Sequence, residues 1–234
     1  MKTIEYIYKQ KNVINVIQAK VSQNSKIGIG YIIQTYHFSI DQVKNNDFSM
    51  DTNNCLDCPF SFNQNDGKSG GCYTHKGMQL MGLKSMLKRL NKKINTLNDF
   101  NESNFNNFVK IIKNTYPVDL VRFGAYGEPV LLGSDVVKKL VNLGKKHTGY
   151  THQYRKNQFN WSNDFFMAST HNLAQSLTAA RLGFRSFFVA DNSNIDGVNC
   201  PASKESNRKS SCIKCGLCNG SLKGSKKDVY ILQH

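Results

Sequence analysis

Long apolar runs are missing from this chain of 234 residues. No stretch approaches the roughly 20 consecutive apolar residues that a membrane-spanning helix needs. The first residues, Met1 to Lys9, also lack the charged-then-apolar pattern of a signal peptide. We therefore expect a cytoplasmic protein without a membrane partner. In such a protein thiols stay reduced, so CxxC spacings favour metal or cluster binding over disulfides.

Acidic residues are also scarce, with 16 Asp and Glu against 31 Lys and Arg, which gives a net charge of +15. The range 67–98 contains basic residues but no acidic one, and the region around the last four cysteines is basic as well. Clustered positive charge suits nucleic acid, because phosphate contacts release counterions. The excess of lysine and asparagine equally fits a biased base composition, so nucleic acid stays an open alternative as partner.

No cysteine is left over when the seven are divided into a group of three and a group of four. Four thiolates close a metal or cluster site, whereas three leave one position open for a histidine, a water or a substrate. This division predicts a structural site at the group of four and chemistry at the group of three. The first cysteine group is Cys55, Cys58 and Cys72, and the second cysteine group is Cys200, Cys212, Cys215 and Cys218.

The spacing within each group bears on the kind of metal. In the second group, three cysteines at successive x2 spacing favour an iron–sulfur cluster, because structural zinc sites more often use two separated CxxC pairs. In the first group two alternatives stay open. Zinc would take His75 as a fourth ligand, whereas a cluster with one open iron would leave His75 unbound.

Strand-like and helix-like segments alternate at βαβ spacing, which predicts one α/β domain over residues 1–234 with a mostly parallel sheet. Two long cysteine-rich loops, 44–77 and 191–227, follow predicted strands. Functional residues of such folds collect at the carboxyl ends of the strands, so we expect both loops on one face. The predicted strands are 31–39, 118–123, 149–154, 164–168, 184–190 and 228–233, and the predicted helices are 80–94, 105–112, 134–141 and 173–180.

One short motif follows the second of these strands. Gly127-Glu128-Pro129 resembles the Gly-Gly-Glu motif that ends the second strand of radical S-adenosylmethionine (SAM) enzymes, and it comes one strand after the three-cysteine loop. Tyr73, directly after Cys72, resembles the aromatic residue beside a cluster cysteine in that superfamily. The resemblance implies a partial (β/α)6 barrel that holds a [4Fe–4S] cluster and SAM.

The same resemblance implies roles for individual residues. The first cysteine group would ligate the cluster, and SAM would chelate its open iron and be cleaved to a 5′-deoxyadenosyl radical. His152, at a predicted strand end, is a candidate to bind substrate or donate a proton. The remaining implied contacts are Gly127 and Glu128 with the methionine end of SAM, Tyr73 beside the cluster, Ser169 with the ribose, and the second cysteine group with an auxiliary cluster.

The chain as a whole is similar to a cysteine-rich family carried by phages and plasmids, the gene-product-88-like proteins. The matching segments are Thr35–Ser39, Gly70–Tyr73, Gly149–Tyr154, Cys200-Pro-Ala-Ser and Cys212–Cys218. That resemblance implies a phage or plasmid origin of the gene more than any activity of the protein. A phage-encoded protein would lie in the host cytoplasm.

Two functions from different classes follow. The favoured one is a radical-SAM-like iron–sulfur enzyme that needs a reductant and modifies an unknown substrate, with nucleic acid or nucleotide as the candidate class. The alternative is a non-enzymatic zinc protein that binds nucleic acid through the basic helix predicted near residues 78–94. A third hypothesis is a barrel that has kept its clusters and lost SAM chemistry.

Overall fold

The computed structural model describes residues 3–62, 72–75, 77–190, 196–221 and 227–232. Parts of both predicted cysteine loops therefore lie outside the described residues, as do Gly70, Gly71, Asp191 and His234. All seven cysteines lie within them.

In the part of the chain that the structure describes, ten strands form two five-stranded sheets, with the orders β1-β2-β3-β4-β5 and β6-β7-β8-β10-β9. The strands are β1 Ile4–Gln10, β2 Val13–Ser22, β3 Gly30–Ser39, β4 Leu120–Tyr126, β5 Lys146–Thr148, β6 Tyr150–Thr151, β7 Met167–Thr170, β8 Ser186–Ala190, β9 Val198–Asn199 and β10 Val229–Leu232.

The first sheet begins with antiparallel strands, in the amino-terminal residues whose structure the sequence pattern does not predict. β1 and β2 form a hairpin, and β2 runs antiparallel to β3 along its whole length. The tight turn between β1 and β2 places Lys11 in the left-handed region, at φ 54°. No clear period marks residues 1–27 in the sequence, because β2 is buried along most of both faces and so lacks alternation.

All later pairings are parallel, from β3-β4-β5 in the first sheet through β6-β7-β8-β10-β9 in the second. A single residue, Gly149, separates β5 from β6. The Gly149 carbonyl accepts from the Met167 N–H at 3.0 Å, and its own N–H donates to the Cys218 carbonyl at 3.1 Å. The chain therefore passes from the first sheet to the second through one strand that bends at Gly149.

The mixed α/β class with parallel-rich sheets is confirmed, and each of the six predicted strands is present. Among the described residues, no pairing joins β9 or β10 back to β1. The partial (β/α)6 barrel stays a proposal.

Seven α-helices within the described ranges connect or cover the strands. They are α1 Ile40–Asn45, α2 Thr52–Cys55, α3 Gly77–Asn91, α4 Glu102–Thr115, α5 Ser134–Val141, α6 Leu173–Arg181 and α7 Cys212–Cys215.

The longer helices bury one apolar face each, as their sequence period predicts. Phe105 and Ile112 of α4 pack with Val121 and Phe123 of β4 on one side of the first sheet. α3 packs Leu87 and its apolar neighbours into a separate cluster on the other side, with β3 and the end of β4. Fully burying a side chain of this size contributes about 1.5 to 3 kcal/mol.

Ser134, which its residue type and place favour as the N-cap of the predicted helix 134–141, does not cap it. Gly133 occupies the N-cap position of α5, and Ser134 is the first residue of the helix. Within the described part of the chain, no helix has the length and apolar character that crossing a bilayer requires.

Candidate metal centre

The first cysteine group lies beyond the carboxyl end of β3. Ser39 ends this strand and caps α1 by accepting a hydrogen bond from the Asp41 N–H. The chain then enters α2, whose last residue is Cys55, and turns sharply at Leu56, where φ is 53°. A backbone bond from the Cys58 N–H to the Cys55 carbonyl, 3.0 Å long, closes the turn. The CxxC spacing therefore forms a compact loop.

The three thiols of this group lie close enough to act on one another. Burial, followed by the charges of Asp51, Cys58 and Cys72, raises the pKa of the Cys55 thiol well above its usual range. Burial likewise raises the pKa of Cys72, although a hydrogen bond with Thr74 opposes the shift. None of the thiols is in a disulfide. Bringing such groups together as thiolates requires a cation, and metal ions supply one in cysteine sites.

The Gly-Glu-Pro motif touches this loop directly. The Glu128 N–H donates to the Asn54 carbonyl at 2.8 Å, and the Asn54 side chain donates to the His37 carbonyl at 3.0 Å. Gly127 has φ +74°, and a Cβ there would lie 2.7 Å from the His37 carbonyl oxygen. Asn54 therefore ties the first cysteine loop to the ends of β3 and β4, and glycine at 127 permits the close approach.

The Glu128 carboxylate is buried and holds the residues that follow β6. Its Oε2 accepts from the Thr151 hydroxyl at 2.7 Å, and its Oε1 accepts from the His152 N–H at 3.0 Å. The same Oε1 lies 3.1 Å from Nδ1 of the His152 ring. These contacts fix the orientation of the imidazole.

The other ring nitrogen of His152 faces the first cysteine group. Its Nε2 lies 4.0 Å from Sγ of Cys58 and 3.3 Å from Nε2 of His171. Burial lowers the pKa of His152, but its contacts with Cys58 and Glu128 outweigh that effect and raise the pKa to about 10. Burial and the charge of His152 lower the pKa of His171 to about 4. His152 is therefore the cation and donor of the pair, and His171 is the neutral acceptor.

His75 lies in an aromatic environment. Its ring is 4.7 Å from the ring of Phe62, 5.8 Å from Phe48 and 5.9 Å from Tyr126, measured between centroids. Burial lowers its pKa, and Asp51 opposes that shift. Both ring nitrogens are buried without a hydrogen-bond partner among the described residues. These contacts place the His75 ring among aromatic side chains.

The second cysteine group lies at the other end of the sheet, which corrects the expectation that both loops share one face. The Cys212 N–H donates to the Lys26 carbonyl, and the next N–H, of Ile213, donates to the Ile27 carbonyl. Both acceptors precede β3, and Ile213 packs on Leu120, the first residue of β4. The loop leaves the carboxyl end of β8 but returns to the amino ends of the strands.

The thiols of the second group are also close to one another. Burial raises the pKa of Cys218, and the charges of Cys200, Cys212 and Cys215 add to the shift, while the Tyr150 hydroxyl opposes it. Ser211 caps the short helix α7, which presents Cys212 and Cys215 one turn apart.

Other predicted site residues are more dispersed. Ser169 lies half-buried near the end of β7, two residues before His171. Tyr73 is 59% exposed, and its hydroxyl lies 3.5 Å from the Arg122 guanidinium.

Sequence reasoning missed Asn54, Thr151 and Arg122. Arg122 carries a signal that could have been used, since it is a charged residue inside an otherwise apolar strand.

Among the residues that the structure describes, no three His, Cys, Asp or Glu side chains are arranged as ligands of one metal ion. Comparison of the chain with protein-family models, with curated proteins and with solved structures finds no match.

Proposed function

We propose that the chain is an iron–sulfur enzyme of the radical-SAM kind, with its chemistry at the first cysteine group. One observation carries the proposal. The loop that holds Cys55, Cys58 and Cys72 is hydrogen-bonded to Gly127-Glu128 at the carboxyl ends of two neighbouring parallel strands. Ligands of open α/β sheets and barrels bind at this edge.

Three thiolates with one open position are the donor set that the proposed [4Fe–4S] cluster would need. Burial, followed by the charges of Asp51 and of the other two thiols, raises the pKa of Cys55, so a cationic group would stabilise the three as thiolates. The aromatic surroundings of His75 supply no reason to count it as a fourth ligand. When bound, the cluster and SAM supply one-electron reductive cleavage of the sulfonium.

The protein's own residues hold this site in place. Asn54 fixes the cysteine loop against β3 and β4, and Gly127 lets the backbones meet. Glu128 holds His152 so that its Nε2 lies 4.0 Å from Sγ of Cys58 and 3.3 Å from Nε2 of His171. This orientation supports the proposed role of His152 as a proton donor or substrate contact.

Glu128 keeps capacity for the amino group of SAM. An ionised carboxylate has about four acceptor positions. Oε1 already accepts from the backbone and ring of His152, whereas among the described residues Oε2 accepts from Thr151 alone. The remaining position on Oε2 suits an ammonium donor. Ser169 remains the proposed ribose contact, and the second cysteine group remains the proposed auxiliary cluster site.

Release of 5′-deoxyadenosine tests the proposal. The protein is prepared without oxygen, reconstituted with iron and sulfide, and mixed with SAM and dithionite. We expect release from the wild type, none from Cys55→Ser, and continued release from Cys215→Ser, whose thiol belongs to the distant group. Absence of release from fully iron-loaded wild type, or undiminished release from Cys55→Ser, would contradict the proposal.

A further inference from the structure

Arg122 occupies the middle of β4, between the two cysteine groups. In the sheet register it stands beside Gln34 of β3 and Thr148 of β5, so these three side chains share one face. The opposite face of β4 carries the apolar residues that pack on α4 and α5. A half-buried arginine is therefore held on the sheet face away from those helices.

The surroundings of Arg122 connect both ends of the sheet. Its guanidinium lies 3.5 Å from the hydroxyl of Tyr73, the neighbour of Cys72. The side chains that act on it electrostatically also include Tyr36, Tyr150 and, from the second cysteine group, Cys212. Burial raises the pKa of Tyr36 and of Tyr150, so these two offer hydroxyl groups without offsetting the positive charge.

A second cation lies on the same face. Lys20 of β2 pairs with Ile32, which pairs with Leu120, two residues before Arg122. Burial lowers the pKa of Lys20, and the charge of Arg122 lowers it further. The two positive charges therefore act on each other across this face.

Neither cation takes part in an ion pair among the described residues. Glu5 acts on Lys20, but its carboxylate is already held by two hydrogen bonds from Arg89 and one from Gln18. Two half-buried cations without their own counterion raise the local concentration of anions.

We propose that Arg122 and Lys20 bind an oxyanion, the phosphate or carboxylate group of the substrate, between the two cysteine groups. The guanidinium provides a planar fork that matches either group bidentately, and tyrosine hydroxyls add single donors. Two positive charges favour a dianionic phosphate over a carboxylate. The part of the proposal that assigns the anion to the substrate rests on the proposed function, whereas the anion site itself rests on the contacts above.

A competing role for Arg122 is to offset the thiolates of the second group. Burial and then the charge of Cys200 raise the pKa of Cys212, and Arg122 opposes that shift. In that case loss of Arg122 would release metal from the second group without affecting anion binding.

Titration of the metal-loaded protein with inorganic phosphate, monitored by calorimetry at constant ionic strength, tests the proposal. We expect the wild type to bind phosphate saturably. Weaker competition by acetate for the same site would indicate a phosphate rather than a carboxylate site. Arg122→Gln should weaken phosphate binding roughly tenfold or more, because a charge-assisted bond is lost. Arg181→Gln, at an exposed arginine of α6, is the matched control and should bind as the wild type.

Arg122→Lys covers the case in which Arg122→Gln does not fold, and it should also weaken phosphate binding because the bidentate fork is lost. Equal phosphate affinity in the Arg122 variants and the Arg181 control would overturn the proposal. So would the absence of saturable binding to the wild type, or loss of metal from Arg122→Gln with unchanged phosphate affinity. The titration contains neither SAM nor reductant, so its outcome is independent of SAM cleavage.

Discussion

Glu128 and His152 form a buried ion pair, with 3.1 Å between Oε1 and Nδ1, at the edge of the first cysteine group. The pair joins the end of β4, in the first sheet, to the end of β6, in the second sheet. The far nitrogen of His152 is thereby aimed at Cys58 and His171. The Gly-Glu-Pro motif therefore has a positioning role in this fold that is independent of any cofactor.

Glu128→Gln should destabilise the protein by about 2 to 4 kcal/mol, because it leaves the buried His152 cation without its partner charge. Urea unfolding at neutral pH measures the change. Glu102→Gln is the matched control, since the exposed Glu102 pairs with Lys139 at the surface and its loss should cost less than about 1 kcal/mol. Equal losses in the two variants would show that the buried pair contributes no more than a surface pair.

Comparing Gly127→Ala with Gly133→Ala separates the stability cost of a close contact from the stability cost of backbone strain. Both glycines have positive φ, at +74° and +81°, so both substitutions should cost about 1 kcal/mol through the backbone. A Cβ at 127 would also meet the His37 carbonyl, whereas nothing lies within 4 Å at 133. We expect Gly127→Ala to lose a further 1 to 3 kcal/mol or so in urea unfolding. Equal midpoints for the two variants would contradict this packing.

His75→Phe should keep the metal of the first cysteine group. The substituted ring keeps the contacts with Phe48, Phe62 and Tyr126, and it removes two buried nitrogens that lack partners within the described part of the chain. Metal analysis of the purified variant beside the wild type measures the effect. Loss of one metal site in His75→Phe would instead support zinc held by three thiolates and one imidazole.

Acid should weaken the fold through His37. Its Nδ1 lies 2.7 Å from the Asn15 side-chain oxygen and its Nε2 3.3 Å from the Thr35 hydroxyl, so the buried ring is held neutral. Burial lowers the pKa of His37 from 6.5 to about 3. Between these values the unfolded chain binds the extra proton, so stability falls as pH drops from about 6.5 towards 3. The expected slope is about 1.4 kcal/mol per pH unit.

Urea midpoints measured across that pH range for the wild type and His37→Gln test the assignment. Other groups titrate equally in both proteins, so the difference between the two curves isolates His37. We expect the variant to be less stable at neutral pH and to lose less stability in acid. Parallel curves would contradict a neutral buried imidazole.

Much of the fold follows from local sequence pattern. β-branched and aromatic runs predicted the six strands of the parallel part, and helical spacing predicted α3, α4, α5 and α6 within a few residues. The hairpin of β1 and β2 escaped prediction because burial of Val13, Ile14, Asn15 and Val16 on both faces removes the alternation that marks a strand.

The candidate site was predictable only in part. Cysteine spacing predicted two metal-ligand groups, and these stay a prediction, because no three such side chains are arranged as ligands of one ion within the described part of the chain. The spacing could not predict that Cys212 returns to the amino end of β3, because that placement depends on backbone bonds with Lys26 and Ile27. Nor does local pattern reveal that Glu128 holds His152, since the pairing joins two strand ends that are 24 residues apart.

Metal content of the protein purified without oxygen tests the iron–sulfur assignment most directly. Iron, acid-labile sulfide and zinc are measured per chain, together with the visible absorption spectrum. The assignment predicts a brown protein with about eight irons and matching sulfide, and loss of about half of both in Cys55→Ser. Two zinc ions and no colour, persisting after anaerobic reconstitution with iron and sulfide, would contradict it and make nucleic-acid binding the next function to test.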